Sequence, residues 1–125
     1  MLRYETTFAP PVFGCNRWDM GGGLTRLLLS GDLDVASAER FQEASRRLLR
    51  SGCRQVEVDL TRVEFMDSAG LGALVTLYRE CQEAGCEVLF CDDTGRQEQL
   101  FALSGMDRRL PFASLELPPA SADRR

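Results

Sequence analysis

The sequence predicts a single α/β domain with a mixed, mostly parallel, four- to five-stranded sheet and with helices stacked on one face of that sheet. Three observations lead to this fold class. A length of 125 residues suits one compact domain. Apolar residues switch between the period of about 2 that is typical of strands and the period of about 3.6 that is typical of helices. One strand in the middle of the chain is apolar on a single face, so helices are expected on that side.

The first part of the chain predicts an extended lead-in followed by a hairpin. Residues 1–12 contain two adjacent prolines and resemble an extended segment. Phe13–Asp19 is a strand candidate, and Gly21–Gly23 supplies residues that tolerate positive φ at a turn. Leu24–Ser30 is the next strand, and its three consecutive leucines indicate a central position in the sheet.

A helix is predicted after the segment Gly31–Asp34, which breaks the second strand. Asp34 is a suitable N-terminal cap for this helix, and Gly52 is a suitable stop. Residues of the predicted inward face recur at helical spacing and are Val35, Ala38, Phe41, Ser45 and Leu48.

Two further strands alternate with a second helix. Gln55–Leu60 alternates polar and apolar residues, which predicts a strand with one buried face. Ser68–Ala84 carries a helical apolar stripe and is followed by Gly85. Glu87–Cys91 is another strand. Right-handed crossovers between these strands place successive helices on the same side of the sheet.

The final third predicts a short helix and an edge strand. Thr94–Gln97 resembles a capping box that opens the helix, and Gly105 closes it. Phe112–Leu117 is a possible last edge strand between prolines. The domain is therefore expected to span residues 13–117, with residues 118–125 as a disordered tail.

The composition excludes several function classes. The chain contains no His and no Lys, so neither a Ser-His-Asp triad nor a P-loop can be built from it. A net charge of −4 with scattered arginines argues against nucleic-acid binding. No segment approaches the roughly 20 apolar residues of a membrane span, and the N-terminus lacks the apolar centre of a signal peptide. We therefore expect a cytoplasmic protein that does not insert into a membrane.

The five cysteines do not form a recognisable metal or disulfide pattern. They are Cys15, Cys53, Cys81, Cys86 and Cys91, with no Cys-x-x-Cys pair among them. Small buried apolar residues are one interpretation. A redox-sensing role for Cys81 or Cys86 is the other.

Three enzyme-like or cofactor-like interpretations fail at specific positions. The third glycine of a dinucleotide-binding fingerprint that began at Gly70 would fall at Val75. A hydrolase elbow around Ser68 lacks its first glycine and any His base. Asp59 could be the acceptor of a phospho-Asp receiver, but the acidic pair beside the acceptor and the later Lys are missing.

Ser68 then has two interpretations. It follows a strand and an acidic turn and lies at the start of a helix, where backbone N–H groups are unpaired. It is either a helix-terminal serine with no further role or a phosphate acceptor, because the helix dipole tolerates an anion there. A phosphate would add negative charge beside Asp67, and near Asp32 and Asp34 if the ends of the two strands align.

The stretch Phe65–Gly72 (Phe-Met-Asp-Ser-Ala-Gly-Leu-Gly) resembles the signature of STAS domains, specifically of bacterial anti-sigma factor antagonists. Gly31–Asp34 is similar to that family's Gly-Glu-Leu-Asp, with Asp in place of Glu. Leu103–Met106 is similar to the pattern that closes its third helix. The resemblance extends over roughly residues 13–117, nearly the whole predicted domain.

The resemblance implies a binding protein that is not an enzyme and needs no cofactor or metal. In this family the unphosphorylated form binds an anti-sigma factor, usually a GHKL-type serine kinase, and so releases a sigma factor. Phosphorylation at the position of Ser68 ends the interaction, and a PP2C-type phosphatase restores it. The implied partner-binding residues are Asp32, Asp34, Asp67, Ser68, Ala69, Gly70, Leu71 and Gly72. The alternative is a STAS docking subunit without a phosphorylation cycle, in a lipid ABC transporter or a stressosome-like scaffold.

Overall fold

The computed structural model describes residues 12–94 as a four-stranded sheet in the order β1-β2-β3-β4 and two helices. Strand β1 is antiparallel to β2, whereas β2, β3 and β4 are mutually parallel. The predicted mixed, mostly parallel sheet is therefore confirmed. The elements are β1 (Gly14–Gly21), β2 (Leu24–Leu33), α1 (Ala38–Arg50), β3 (Gln55–Met66), α2 (Ser68–Ala84) and β4 (Glu87–Cys91).

A glycine turn joins the first two strands, as the sequence predicts. Gly21, Gly22 and Gly23 have φ values of 88°, 64° and 84°. Residues with a side chain rarely adopt this left-handed region, so three successive glycines permit the chain to reverse here.

Both helices cover the same face of the sheet. Alternate residues of β2 and β3 are buried and form one hydrophobic core with the inward residues of α1 and α2. Residues at the centre of this core are Leu27, Leu29, Leu33, Phe41, Leu48, Val58, Leu60, Leu74 and Leu77. Across all four strands, the alternate positions that point away from the helices are half-buried or exposed.

Helix α1 begins later than the sequence predicts. Its first residue is Ala38, and Val35, which the spacing placed on the inward face, is 76% exposed. The reason is that Asp34 caps a turn and not the helix itself. Its Oδ1 accepts hydrogen bonds from the backbone nitrogens of Ala36 (3.0 Å) and Ser37 (3.2 Å), which closes a turn ahead of the helix.

Strand β3 extends beyond the predicted alternation. The pairing of β2 with β3 shifts between Leu28 and Ser30, which face Asp59 and Arg62 respectively. After this irregularity the buried positions are Val63 and Met66. Because the alternation of buried and exposed residues changes phase at this irregularity, a search for alternate apolar residues does not detect the second half of the strand.

Part of the predicted structure lies outside the described residues. The helix predicted after Thr94, the edge strand Phe112–Leu117, the tail 118–125 and nearly all of the lead-in 1–12 belong to this part. Within residues 12–94, neither helix is long and apolar enough to cross a membrane.

Candidate functional site

The candidate site lies at the edge of the sheet where the parallel strands β2 and β3 end. Asp32 pairs with Phe65 and Leu33 pairs with Met66, so the two strand ends align. The backbone nitrogen of Asp67 also approaches the carbonyl oxygen of Leu33 at 3.4 Å. The loop after β2 and the start of α2 therefore lie side by side.

Asp67 connects these two segments through its carboxylate. Its Oδ1 accepts a hydrogen bond from the backbone nitrogen of Gly70 (3.0 Å), so Asp67 is the N-terminal cap of α2. Its Oδ2 accepts a second bond from the backbone nitrogen of Val35 (3.2 Å). One side chain therefore fixes the helix start relative to the loop that follows β2.

The loop after β2 is held by a small hydrogen-bond network of its own. The hydroxyl of Ser37 donates to the carbonyl oxygen of Asp32 (2.7 Å) and accepts from the backbone nitrogen of Asp34 (3.0 Å). Ser37 is buried, whereas Asp32 and Asp34 are half-buried. The network therefore fixes the backbone of the loop that carries Asp32 and Asp34.

Ser68 is the first residue of α2 and is exposed. No hydrogen bond of its hydroxyl to another residue of the described range is present. The nearby backbone nitrogens of Gly70 and Leu71 are satisfied by Asp67, through its carboxylate and its carbonyl oxygen. The Ser68 hydroxyl is therefore accessible at a capped helix start.

The two glycines of Gly-Leu-Gly have different environments. A Cβ atom on Gly70 would collide with the carbonyl oxygen of Leu33, so this glycine lets the helix approach β2 closely. Leu71 is buried in the core, and Ala69 is half-buried. Gly72 is exposed, and a Cβ atom there would meet nothing within 4 Å. Of the eight predicted partner-binding residues, Ser68 and Gly72 are the exposed ones, while Gly70 and Leu71 are buried.

Two exposed apolar residues at this edge were not predicted as site residues. Val35 is 76% exposed and follows Asp34, and Phe65 is 52% exposed and lies across from Asp32. The available sequence signal was Phe65 itself, an apolar aromatic residue immediately before the acidic turn. Exposed apolar side chains that are bordered by polar groups are typical of protein–protein contacts.

The edge is acidic and lacks a described cationic partner. Within residues 12–94 the two ion pairs are Arg17–Asp19 and Arg26–Glu57, and neither involves Asp32, Asp34 or Asp67. Across the same part of the chain, no group of three or more metal-ligating side chains is arranged to hold an ion. The arrangement presents an accessible hydroxyl at the same edge as exposed apolar side chains and carboxylates.

Comparison with known proteins identifies relatives of this chain. Residues 17–116 match the family model described as "Mlab, STAS domain". The chain is similar to the anti-sigma F factor antagonist of Paenibacillus polymyxa, with 27% identity over 96 residues. The aligned part covers 76% of this chain and 82% of that protein.

Solved structures share the fold. An anti-sigma factor antagonist from Mycobacterium paratuberculosis has a TM-score of 0.76 and 21% identity, covering 92% of this chain and 98% of the other. The Bacillus cell fate determinant SpoIIAA in its phosphorylated form has a TM-score of 0.66 and 18% identity, covering 87% and 99%.

Proposed function

This chain belongs to the STAS domain family, and from that premise we propose that it is an anti-sigma factor antagonist. Its unphosphorylated form binds an anti-sigma factor, which is a GHKL-type serine kinase, and the binding releases a sigma factor. The observation that carries the proposal is the exposed Ser68 hydroxyl at the Asp67-capped start of α2. The chain is then a binding protein and a kinase substrate, not an enzyme.

The start of α2 suits a phosphorylated serine. The Ser68 hydroxyl is accessible, and the position of Gly72 one turn later leaves open space. A phosphate carries a charge of about −1.5 to −2, and a helix N-terminus favours an anion because of its dipole. The fold is therefore expected to survive phosphorylation.

Phosphorylation of Ser68 is expected to prevent the partner from binding at this edge. Asp32, Asp34 and Asp67 already make this edge negative. Phosphorylation adds bulk and a charge of about −1.5 to −2 to a surface that the partner covers, and burying such a charge without a paired cation costs several kcal/mol. A cost of about 3 kcal/mol lowers affinity by roughly 100-fold, which is enough to end a regulatory interaction.

The kinase and the phosphatase catalyse the covalent steps of the proposed cycle. In the kinase, the Ser68 oxygen attacks the γ-phosphorus of ATP, the bond to ADP breaks, and a kinase base takes the hydroxyl proton. ATP and Mg²⁺ are bound by the kinase. A PP2C-type phosphatase hydrolyses the phosphoserine and restores binding. Because sigma factors act on transcription, we place this cycle in the cytoplasm.

A docking role without phosphorylation is the second candidate. The matched family model is described as "Mlab, STAS domain". In this second role the chain would be a docking subunit of a lipid ABC transporter or of a stressosome-like scaffold. An exposed acceptor hydroxyl has no purpose in that role. Phosphorylation of Ser68 therefore distinguishes the two candidates.

The test uses a pull-down from lysate of the native organism, followed by reconstitution with the captured kinase. With ATP and Mg²⁺ the chain should gain one phosphate on Ser68, and Ser68→Ala should stay unmodified. Calorimetry should show that Ser68→Glu binds the kinase roughly 100-fold more weakly while Ser68→Ala binds normally. Capture of transporter subunits without a kinase, or normal binding by Ser68→Glu, would overturn the proposal.

A further inference from the structure

Two cysteines meet at the opposite edge of the sheet, where the parallel strands begin. Cys53 lies between α1 and β3, and Cys86 lies between α2 and β4. Gln55 and Glu87 are paired directly, and the nitrogen of Glu87 donates to the carbonyl oxygen of Arg54 (3.0 Å). The two cysteines therefore precede neighbouring strands that are already held in register.

Their sulfur atoms are in direct contact. The Sγ atoms of Cys53 and Cys86 are 3.4 Å apart, although the two residues are 33 positions apart in the sequence. The two sulfur atoms need to approach by about 1.4 Å to reach the S–S bond length of about 2.05 Å, which is a small displacement for two side chains that are already in contact.

We propose that Cys53 and Cys86 form a covalent modification site, which closes to an intramolecular disulfide by exchange with a low-molecular-weight disulfide such as oxidised glutathione. Cys53 is the point of entry because it is half-exposed, whereas Cys86 is 4% exposed. A third thiol, Cys81, is fully buried and lies behind Cys86, whose backbone nitrogen donates to the carbonyl oxygen of Cys81 (2.8 Å).

The exchange proceeds in two balanced steps. The Cys53 thiolate attacks one sulfur of oxidised glutathione, the S–S bond of glutathione breaks, and one glutathione thiolate leaves. The Cys86 thiolate then attacks the Cys53 sulfur of the mixed disulfide, and the second glutathione leaves. Two thiol protons pass to the two released glutathione molecules, so the protein loses two electrons and glutathione gains them.

The environment makes this site slow to oxidise. Burial, followed by the hydrogen bond with Cys86, raises the pKa of the Cys53 thiol to about 12, and the Arg17 charge lowers it only in part. Burial also raises the pKa of Cys86. Since the thiolate is the attacking species, exchange near neutral pH follows a sustained shift in the glutathione ratio and not a brief pulse.

The modification does not reach the Ser68 edge. Strand β3 has 12 residues between Cys53 and the acidic turn, which corresponds to roughly 40 Å of extended chain. The disulfide would enclose β3 and α2 in a covalent loop. It is expected to stabilise the domain without adding bulk or charge where a partner binds.

The test treats the folded wild-type chain with glutathione buffers of increasing oxidised fraction at pH 8. Free thiols are then blocked in acid, and disulfides are mapped by mass spectrometry of a non-reduced digest. The expected product is a chain lighter by two hydrogen atoms, with the Cys53 peptide linked to the Cys86 peptide. Its thermal midpoint should rise by roughly 10 °C relative to the reduced chain.

Variants test the order of attack. Cys86→Ser should stop at a glutathione adduct on Cys53, whereas Cys53→Ser should gain little glutathione at Cys86, because that thiol is covered. Cys91→Ser is the matched control and should form the same disulfide as the wild type. Linkage of Cys81 to Cys86, a stable glutathione adduct on wild-type Cys53, or unmodified thiols at the highest oxidised fraction would each overturn the proposal. These three outcomes are all measured on the wild-type chain by mass spectrometry, so the proposal is tested even if a serine variant does not fold.

Discussion

The carboxylate Oδ2 of Asp67 lies 3.2 Å from the backbone nitrogen of Val35, so the residue that caps α2 also holds the loop after β2. The two segments that form the candidate site therefore share one side chain. A substitution at Asp67 is expected to disturb both at once.

We expect Asp67→Ala to lower the free energy of unfolding by about 2 kcal/mol. The helix cap accounts for about 1 kcal/mol and the bond to Val35 for about 1 kcal/mol. Asp67→Ser retains a capping oxygen but cannot reach both partners, so its loss should be about half as large. Urea denaturation of the wild type, Asp67→Ala and Asp67→Ser measures these differences in the free energy of unfolding. An unchanged midpoint for Asp67→Ala would contradict the dual role of this carboxylate.

Gly70 and Gly72 provide a matched pair of substitutions within one helical turn. Gly70→Ala should destabilise the domain by about 1–3 kcal/mol, because the added methyl group would collide with the carbonyl oxygen of Leu33. Gly72→Ala should stabilise it by about 0.5–1 kcal/mol, because alanine is the better helix former and space is open there. Thermal and urea unfolding would measure both. Shifts of the same sign would contradict this assignment of the two glycines.

The exposed apolar residues at the site are expected to contribute to partner binding under the proposed function. Phe65→Ala should weaken binding of the anti-sigma factor by about 10-fold or more, with little change in stability, because Phe65 is 52% exposed. Trp18→Ala is the control, since Trp18 is 59% exposed but pairs with Arg26 near the opposite end of the sheet. Calorimetry with the isolated kinase would compare them. Equal losses for both variants would remove Phe65 from the interface.

The reduced protein should lose stability between about pH 9 and pH 11. Burial raises the pKa of Cys15, Cys81 and Cys91 from 9.0 to about 11. In this window the unfolded chain releases thiol protons that the folded chain still holds, so alkaline pH favours unfolding. Urea midpoints in the presence of a reductant, taken at half-unit pH steps, would measure the slope.

Cys15→Ser serves as the control for this titration. Arg40 and Arg47 partly offset the burial of Cys15. Its replacement should reduce the slope by up to about 1.4 kcal/mol per pH unit, which is the value for one proton. An identical slope in the variant would show that Cys15 does not take part.

Local pattern predicted most of the fold because α2 and β4 each carry uninterrupted periods with clear stops. The observed bounds Ser68–Ala84 and Glu87–Cys91 are those that the sequence predicts. The second half of β3 was missed because an irregular register between Leu28 and Ser30 breaks the alternation. Such a shift depends on the neighbouring strand, which a single segment does not encode.

Only part of the candidate site could be predicted from the sequence. The alignment of the strand ends follows from two parallel strands, and the structure confirms it at Asp32 and Phe65. The exposure of Val35 was not predicted, because the helical spacing of the sequence continues through it. Its position is set by the local turn at Asp34 and by the bond to Asp67, and the second of these is a tertiary contact that the local sequence does not encode.

The length of β3 separates two kinds of covalent chemistry on one small domain. A serine lies beyond one end of the strand and a pair of contacting thiols lies before the other. Because neither group is close enough to change the reactivity of the other, the two modifications that we propose would form and reverse independently. Under these proposals the domain would respond separately to two conditions of the cell, kinase activity at one edge and the thiol–disulfide ratio at the other.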